Sequence, residues 1–264
     1  NGKKLNGKEK NYLYDYFIFE GEYLNGKLWT AKTYDNNNNI YEIKDGKGHF
    51  KKSELGILIE GEYLNGGRNG KGKGYYFGGK LYFEGEYLNG EIIGKGKEYY
   101  NDGSIRFEGE YYHGKRWNGT GYSKLNTVEY ELQNGKGYIK EFDDLNQLIY
   151  EGNFLYGESN GKVKNYYNNG QIKFEGEHLN GKRNGKGKKY NEIGELIFEG
   201  EYLYDCKLKG KAYIRGSLEY EGEYLFKKKW NGKGYDWEGN IIYELINGTG
   251  KVIEYHKNGE KKFG

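Results

Sequence analysis

The phrase Phe-Glu-Gly-Glu-Tyr constrains this chain more than any other feature, because it recurs. The Glu-Gly pair, followed by an acidic or amide residue and then an aromatic or His, begins at Glu20, Glu60, Glu84, Glu108, Glu151, Glu175, Glu199 and Glu221. The successive steps are 40, 24, 24, 43, 24, 24 and 22 residues. The two long steps each hold a shortened copy, Tyr41 to Gly48 and Tyr130 to Gly137, and a third short copy runs from Tyr243 to Gly250. Self-similarity at a fixed period marks a repeat architecture. The whole chain, residues 1–264, therefore reads as one array of about eleven units with a partial unit at the start, and short units near 41–59, 130–150 and 243–264.

Each unit alternates. Ile105, Phe107, Gly109 and Tyr111 point one way while Arg106, Glu108 and Glu110 point the other, and the other copies keep this parity. Period-two alternation rich in aromatic residues predicts a half-buried strand. A helix would scatter Glu84 and Glu86 about 200° apart and break the apolar face. The second half of the unit, Leu-Asn-Gly-Lys-Arg-Asn-Gly-Lys-Gly at Leu179 to Gly187, predicts a turn between Asn180-Gly181 and Asn184-Gly185, since Asn and Gly accept positive φ cheaply. Each unit is then one antiparallel hairpin. Glycine weakens a strand unless something must approach its backbone closely. Gly85, Gly109 and their equivalents are accordingly expected to lie under aromatic rings from a neighbouring strand or hairpin.

Composition supports an array over a two-layer globule. Hydrophobic residues make up only 35% of the 264 positions, while Tyr contributes 31 and Gly 46. A repeat protein tolerates this, because each unit buries only its contacts with its neighbours. Two strands per unit, about 4.8 Å apart, predict a rod that grows about 10 Å per repeat and reaches roughly 100 Å. The 42 basic and 39 acidic residues nearly cancel. Rows of Glu-x-Glu and Lys-x-Lys on adjacent strands predict cross-strand ion pairs worth about 0.2–1 kcal/mol each. Lysines so engaged have little left for nucleic acid, and none is expected as a partner.

Trp29, Trp117 and Trp230 each stand eight residues after a repeat glycine (Gly21, Gly109, Gly222), and a short copy follows each. They are read as packing residues at bends of the array. The run Asn36 to Asn39 reads as a loop or a register spacer. Absence of an initiator Met, with Asn1 inside a partial repeat, points to a fragment or a mature form. No apolar run approaches the 18 residues that a membrane helix needs. The compartment stays open between cytoplasmic or cytoskeletal and secreted or surface forms.

The run Phe-Glu-Gly-Glu-Tyr-Leu-Asn-Gly-Lys-Arg-Asn-Gly-Lys-Gly-Lys-x-Tyr resembles the MORN repeat, including its variant form common in bacterial proteins. The resemblance covers nearly the whole chain. It implies an all-β, elongated, single-layer solenoid of antiparallel hairpins with an aromatic-lined groove. It also implies a scaffold, dimerisation or targeting role, with links to phospholipids in some members. This sequence departs from the family in having Asn69 and Asn184 where His is frequent before Gly-x-Gly, and Tyr where Trp is frequent.

No catalytic, cofactor-binding or metal site is expected. Seven copies of Glu-Gly-Glu in one context indicate architecture and not paired acid/base carboxylates. The Gly70 to Gly74 run lacks the strand-loop-helix setting of a phosphate cradle. His49, His113, His178 and His256 are scattered, and Cys206 stands alone. Basic clusters at Lys182, Arg183, Lys186, Lys188 and Lys189 and at Lys227 to Lys229 read as a solvated face. What remains is an aromatic stripe, read either as packing between repeats or as an interaction surface: Tyr23, Tyr63, Tyr87, Tyr111, Phe154, His178, Tyr202 and Tyr224, with Trp29, Trp117 and Trp230. The expected function is a non-enzymatic scaffold binding a protein partner or itself, end to end or as a homodimer. The alternative is a ligand-binding module for phospholipid headgroups, with weak membrane contact, or for a cell-surface glycan.

Overall fold

The structure, a computed structural model, describes residues 6–13, 17–34, 39–54, 57–76, 78–251, 254–255 and 261–262. Residues 1–5, most of the Asn36 to Asn39 run, His256 and most of the chain after 251 lie outside the described residues, as do the expectations that fall on them. The chain divides into two compact units, Asn1–Gly135 with Asp144–Asn146, and Lys136–Asp143 with Gln147–Gly264.

Among the described residues every element is a β-strand and none is a helix. The first unit carries a 12-stranded sheet from Gly7–Leu13 to Val128–Leu132. The second carries a 10-stranded sheet from Gly137–Phe142 to Ile241–Leu245, and a small separate pair, Glu254–Tyr255 with Lys261–Lys262. Within each sheet every strand pairs antiparallel with its sequence neighbours, and neither sheet closes into a barrel. This order follows from the repeat, since each hairpin connection is too short to let a strand seek any other partner.

Turn chemistry decides the hairpins. Asn25-Gly26, Asn65-Gly66, Asn89-Gly90 and Asn180-Gly181 all hold positive φ at both central positions, the type I′ turn that matches strand twist. The turn is tighter than the sequence suggested. After Asn180-Gly181 the next strand, Lys182–Tyr190, starts at once, so Asn184-Gly185 lies inside a strand. There Gly185, at φ 97°, sits where the pairing register shifts between Gly176 and His178. It serves a β-bulge.

Among the described residues, two of the two-residue turns use no glycine. Tyr204-Asp205 (φ 45° and 69°) and Phe226-Lys227 (φ 48° and 66°) adopt the same left-handed geometry with side chains that disfavour it. Joint replacement Phe226→Asn with Lys227→Gly is therefore expected to stabilise the protein by about 1 kcal/mol, read as a shift of the urea midpoint. An unchanged or lowered midpoint would show that the exposed Phe226 ring makes a compensating contact.

A line of glycines crosses each sheet. In the first, Gly61, Gly72, Gly85, Gly96, Gly109 and Gly119 pair in succession. In the second the line runs Gly176, Gly187, Gly200, Gly210, Gly222 and Gly232. Rings lie over it as expected. A Cβ added to Gly96 would meet Phe83 and, from the next hairpin, Tyr111 at 3.0 Å; one added to Gly72 would meet Tyr87 at 2.6 Å. Rings also cover their own strand: Phe107 and Phe198, two residues before Gly109 and Gly200, bring Cζ to 2.9 Å of the same notional position, and each also reaches Gly119 or Gly210 on the next strand.

Candidate functional site

The polar face carries two ladders of charge beside the glycine line. One runs Glu60, Lys73, Glu84, Lys97 and Glu108 in the first unit, and Lys164, Glu175, Lys188, Glu199 and Lys211 in the second. Lys97 contacts Glu108 at 2.8 Å, Lys51 contacts Glu60 at 3.4 Å and Lys209 contacts Glu201 at 3.3 Å. Tyrosines at the far end of each return strand brace the glutamates further. Tyr99 donates to Glu84, Tyr166 to Glu151 and Tyr213 to Glu199, each at 2.6 Å, and Tyr190 to Glu175 at 2.7 Å. Burial together with these carboxylates pushes Tyr190 and Tyr213 up to about 12.

Between the ladders each unit forms a groove with a glycine floor and Glu and Lys walls. It measures about 1000 Å³ in the second unit and about 570 Å³ in the first. Its groups repeat evenly along the sheet. Among the described residues no three His, Cys, Asp or Glu side chains converge as metal ligands.

The opposite face holds the aromatic stripe, packed against itself. Tyr63, Tyr87, Tyr111, Tyr202 and Tyr224 are buried, while Tyr23, Phe154 and His178 are partly so. The rings meet edge to face: Phe83 with Tyr111 at 5.6 Å and 88°, Phe174 with Tyr202 at 5.6 Å and 85°, Phe198 with Tyr224 at 5.8 Å and 77°. This geometry suits the ring quadrupole. The second aromatic of each set, Phe83, Phe107, Phe174, Phe198 and Tyr220, is buried too, and all but Phe174 lie deeper than every tyrosine the sequence singled out.

Cations cover these rings, which the sequence reading missed. Arg116 lies 4.9 Å from the Phe107 centroid, Arg183 lies 5.0 Å from Tyr202, Lys207 lies 4.2 Å from Phe198, and Lys229 lies 5.2 Å from Tyr220. Arg183 and Lys229 thus leave the solvated face to which the sequence assigned them. Arg116 also grips Glu98 with two nitrogens, at 2.9 and 2.5 Å, and donates to Tyr130. Tyr111 donates to the same carboxylate at 2.7 Å. Burial opposes the charge on Glu98, but the Arg116 guanidinium and these hydrogen bonds more than offset it and hold the carboxyl below its usual range.

No family model and no curated protein matches the chain. A solved structure of a protein of unknown function from Bacteroides caccae is similar to it, at 11% identity, 82% coverage of this chain, 89% coverage of that one, and a TM-score of 0.21. A likeness that low carries no argument about fold or function.

The tryptophans have a packing place. Trp29 accepts the Gly46 amide on its backbone carbonyl at 2.7 Å, Trp117 that of Gly135 at 2.7 Å, and Trp230 that of Gly248 at 2.9 Å. Each of those glycines belongs to the turn of the short copy that follows. The ring of Trp29 lies over Gly46, and that of Trp230 over Gly248. His178 takes the Tyr position in the stripe; Ser159 sits 2.8 Å from its Nδ1, and burial lowers its pKa. His49 pairs with Glu60 and His113 with Glu91, and Cys206 is free.

One apolar feature stays open. The residue that closes the first strand, just before the turn, is exposed in seven of the eight full-length hairpins, Leu24, Leu64, Leu88 and Tyr112 in the first unit and Leu179, Leu203 and Leu225 in the second, while Leu155 is partly buried. In the second unit three turn residues join them, Tyr156, Tyr204 and Phe226, the last 88% exposed.

Proposed function

We propose that the chain is a non-enzymatic interaction scaffold of the MORN type, continuous through residues 1–264, whose hairpin edge binds a protein partner or a second copy of itself. The observation that supports this is the recurring exposed Leu, Tyr or Phe at successive hairpin ends. Repeated apolar side chains at one place in most full-length hairpins, left open to water, suit a ligand that is itself extended and protein-like. Hairpin pairing, type I′ turns and rings over glycine are consistent with the MORN resemblance. The even spacing of both charge ladders, with no group distinguished from its copies, favours a surface over a reaction centre.

The ligand-binding alternative draws less support. Lys51, Lys97 and Lys209 face glutamates at ion-pair distance, which reduces their pull on anionic headgroups, and the stripe tyrosines a glycan would stack upon are buried.

Sedimentation velocity over a range of protein concentrations tests the self-binding form of this reading. The native chain is expected to associate, and Leu203→Asp with Phe226→Asp is expected to weaken that association at least tenfold, since a charge then replaces apolar area at the contact. Association that survives both substitutions unchanged would remove the hairpin edge as the contact. A chain that stays monomeric throughout would remove self-binding and leave only a heterologous partner.

A further inference from the structure

Of the four ring-covering cations described above, three have a carboxylate. Arg116 holds Glu98, Arg183 holds Asp205 at 3.0 Å, and Lys229 holds Glu219 at 2.7 Å. Lys207 makes two ring contacts, with Phe198 at 4.2 Å and Tyr224 at 5.2 Å, and no ion pair.

The repeat explains the exception. Glu98 precedes Tyr111 by 13 residues and Arg116 by 18, and the same offsets lead from Lys189 to Tyr202 and Lys207. Where the first unit has Glu, Tyr and Arg, the second has Lys, Tyr and Lys. Glu98 and Lys189 also hold matching places in the sheet, since Glu98 pairs with Phe107 and Lys189 with Phe198. In the first unit the Tyr111 hydroxyl donates to Glu98 at 2.7 Å. In the second, the buried Tyr202 and Tyr224 hydroxyls find no acceptor, the Arg183 guanidinium beside Tyr202 being a donor only, and both residues are more than nine-tenths buried. A buried hydroxyl without an acceptor is costly, and so are two neighbouring lysines with no carboxylate at ion-pair distance.

We propose that this place is a binding site for a carboxylate from outside the chain, seated between Lys189 and Lys207 and accepting the Tyr202 hydroxyl as Glu98 accepts that of Tyr111. A carboxylate is the class of ligand because the first unit solves the same geometry with one, and its two oxygens satisfy one hydroxyl and the flanking cation together. Lys207 is only partly buried, so its flexible stem is the movable cover of the site. The charge balance agrees. Burial first and the Lys189 charge next lower Lys207 to about 8, with Lys229 and Arg183 adding to the effect and Glu219 opposing it. The rings it covers are Phe198 and Tyr224, and Tyr202 is its cross-strand partner. The inference does not rest on the hairpin-edge reading.

The test follows the lysine titrations by NMR on protein carrying ¹³C-dimethyl lysines, with Lys207→Arg used to assign the signal. The probes are sodium acetate and an acetylated, amidated Gly-Glu-Gly peptide, with chloride and sulfate at matched ionic strength as controls. The Lys207 titration is expected to move up by one pH unit or more with a carboxylate and to stay put with sulfate. Equal response to both probes assigns the site to small free carboxylates; a response to the peptide alone assigns it to an acidic protein segment. Lys189→Glu supplies the missing acceptor from within, so it is expected to raise the Lys207 titration without ligand and to weaken both probes at least tenfold. No movement with either probe, equal movement with sulfate, or undiminished binding by the Lys189→Glu protein would overturn the proposal.

Discussion

Gly200→Ala is expected to destabilise the protein by about 3 kcal/mol, an unusual cost for one methyl group. The added Cβ would strike the Lys209 carbonyl oxygen, lie 2.7 Å from Gly210 Cα and touch Phe198 Cζ at 2.9 Å. Two of those three atoms are backbone held by the sheet ladder, so they cannot turn aside. Phe198→Ala attacks the same contact from the other side and is expected to cost about 3–5 kcal/mol, because a fully buried ring leaves a cavity. The double variant should cost less than the sum, as removing the ring relieves one of the three clashes. Urea unfolding gives the energies, and amide exchange locates them. Protection should fall first in Leu196–Leu203 and Cys206–Ile214, since a repeat array fails where a neighbour contact is lost. A Gly200→Ala protein as stable as the parent would remove the ring-over-glycine account of the fold.

Glu98→Gln is expected to cost about 3–5 kcal/mol, with Arg116→Ala in the same range, because either leaves one charge of a largely buried pair without its partner. Replacing both by apolar residues should cost less than either alone, limited by the Tyr111 and Tyr130 hydroxyls that lose their partners. The pair also sets an acid limb. The folded pKa of Glu98 is depressed below its unfolded value near 4.3, so its contribution is complete above about pH 4.3 and is lost as pH falls through the folded value. Stability of the parent should therefore decline on acidification below about pH 4.3, and the Glu98→Gln protein should lose that part of the slope. Parallel acid limbs for the two proteins would show that Arg116 does not depend on this carboxylate.

Much of the local architecture was open to a reader of the chain. Strand parity in Ile105 to Tyr111 placed Phe107, Gly109 and Tyr111 together, and that is where they lie. The spacing of Trp29, Trp117 and Trp230 tied each of them to the short copy that follows, and their carbonyls do receive the turn glycines of those copies. Parity failed at Arg116, Lys207 and Lys229. Counted by twos from Gly119, Gly210 and Gly232, all three belong with the polar ladder. They sit instead over rings, because the register slips by one residue between Glu110 and Tyr111, between Glu201 and Tyr202, and between Gly222 and Tyr224. One bulged residue sends every side chain beyond it to the other face.

Alternating residues and Asn-Gly turns act through the backbone of one or two adjacent strands, so the amino-acid order alone determined the hairpins, their antiparallel succession and the glycine line. Which lysine or arginine covers a ring, which hydroxyl is left without an acceptor, and which carboxylate meets which cation depend on bulges and on side chains some 18 residues apart. Those relations arise only when neighbouring hairpins are laid side by side, and there the tertiary structure decided.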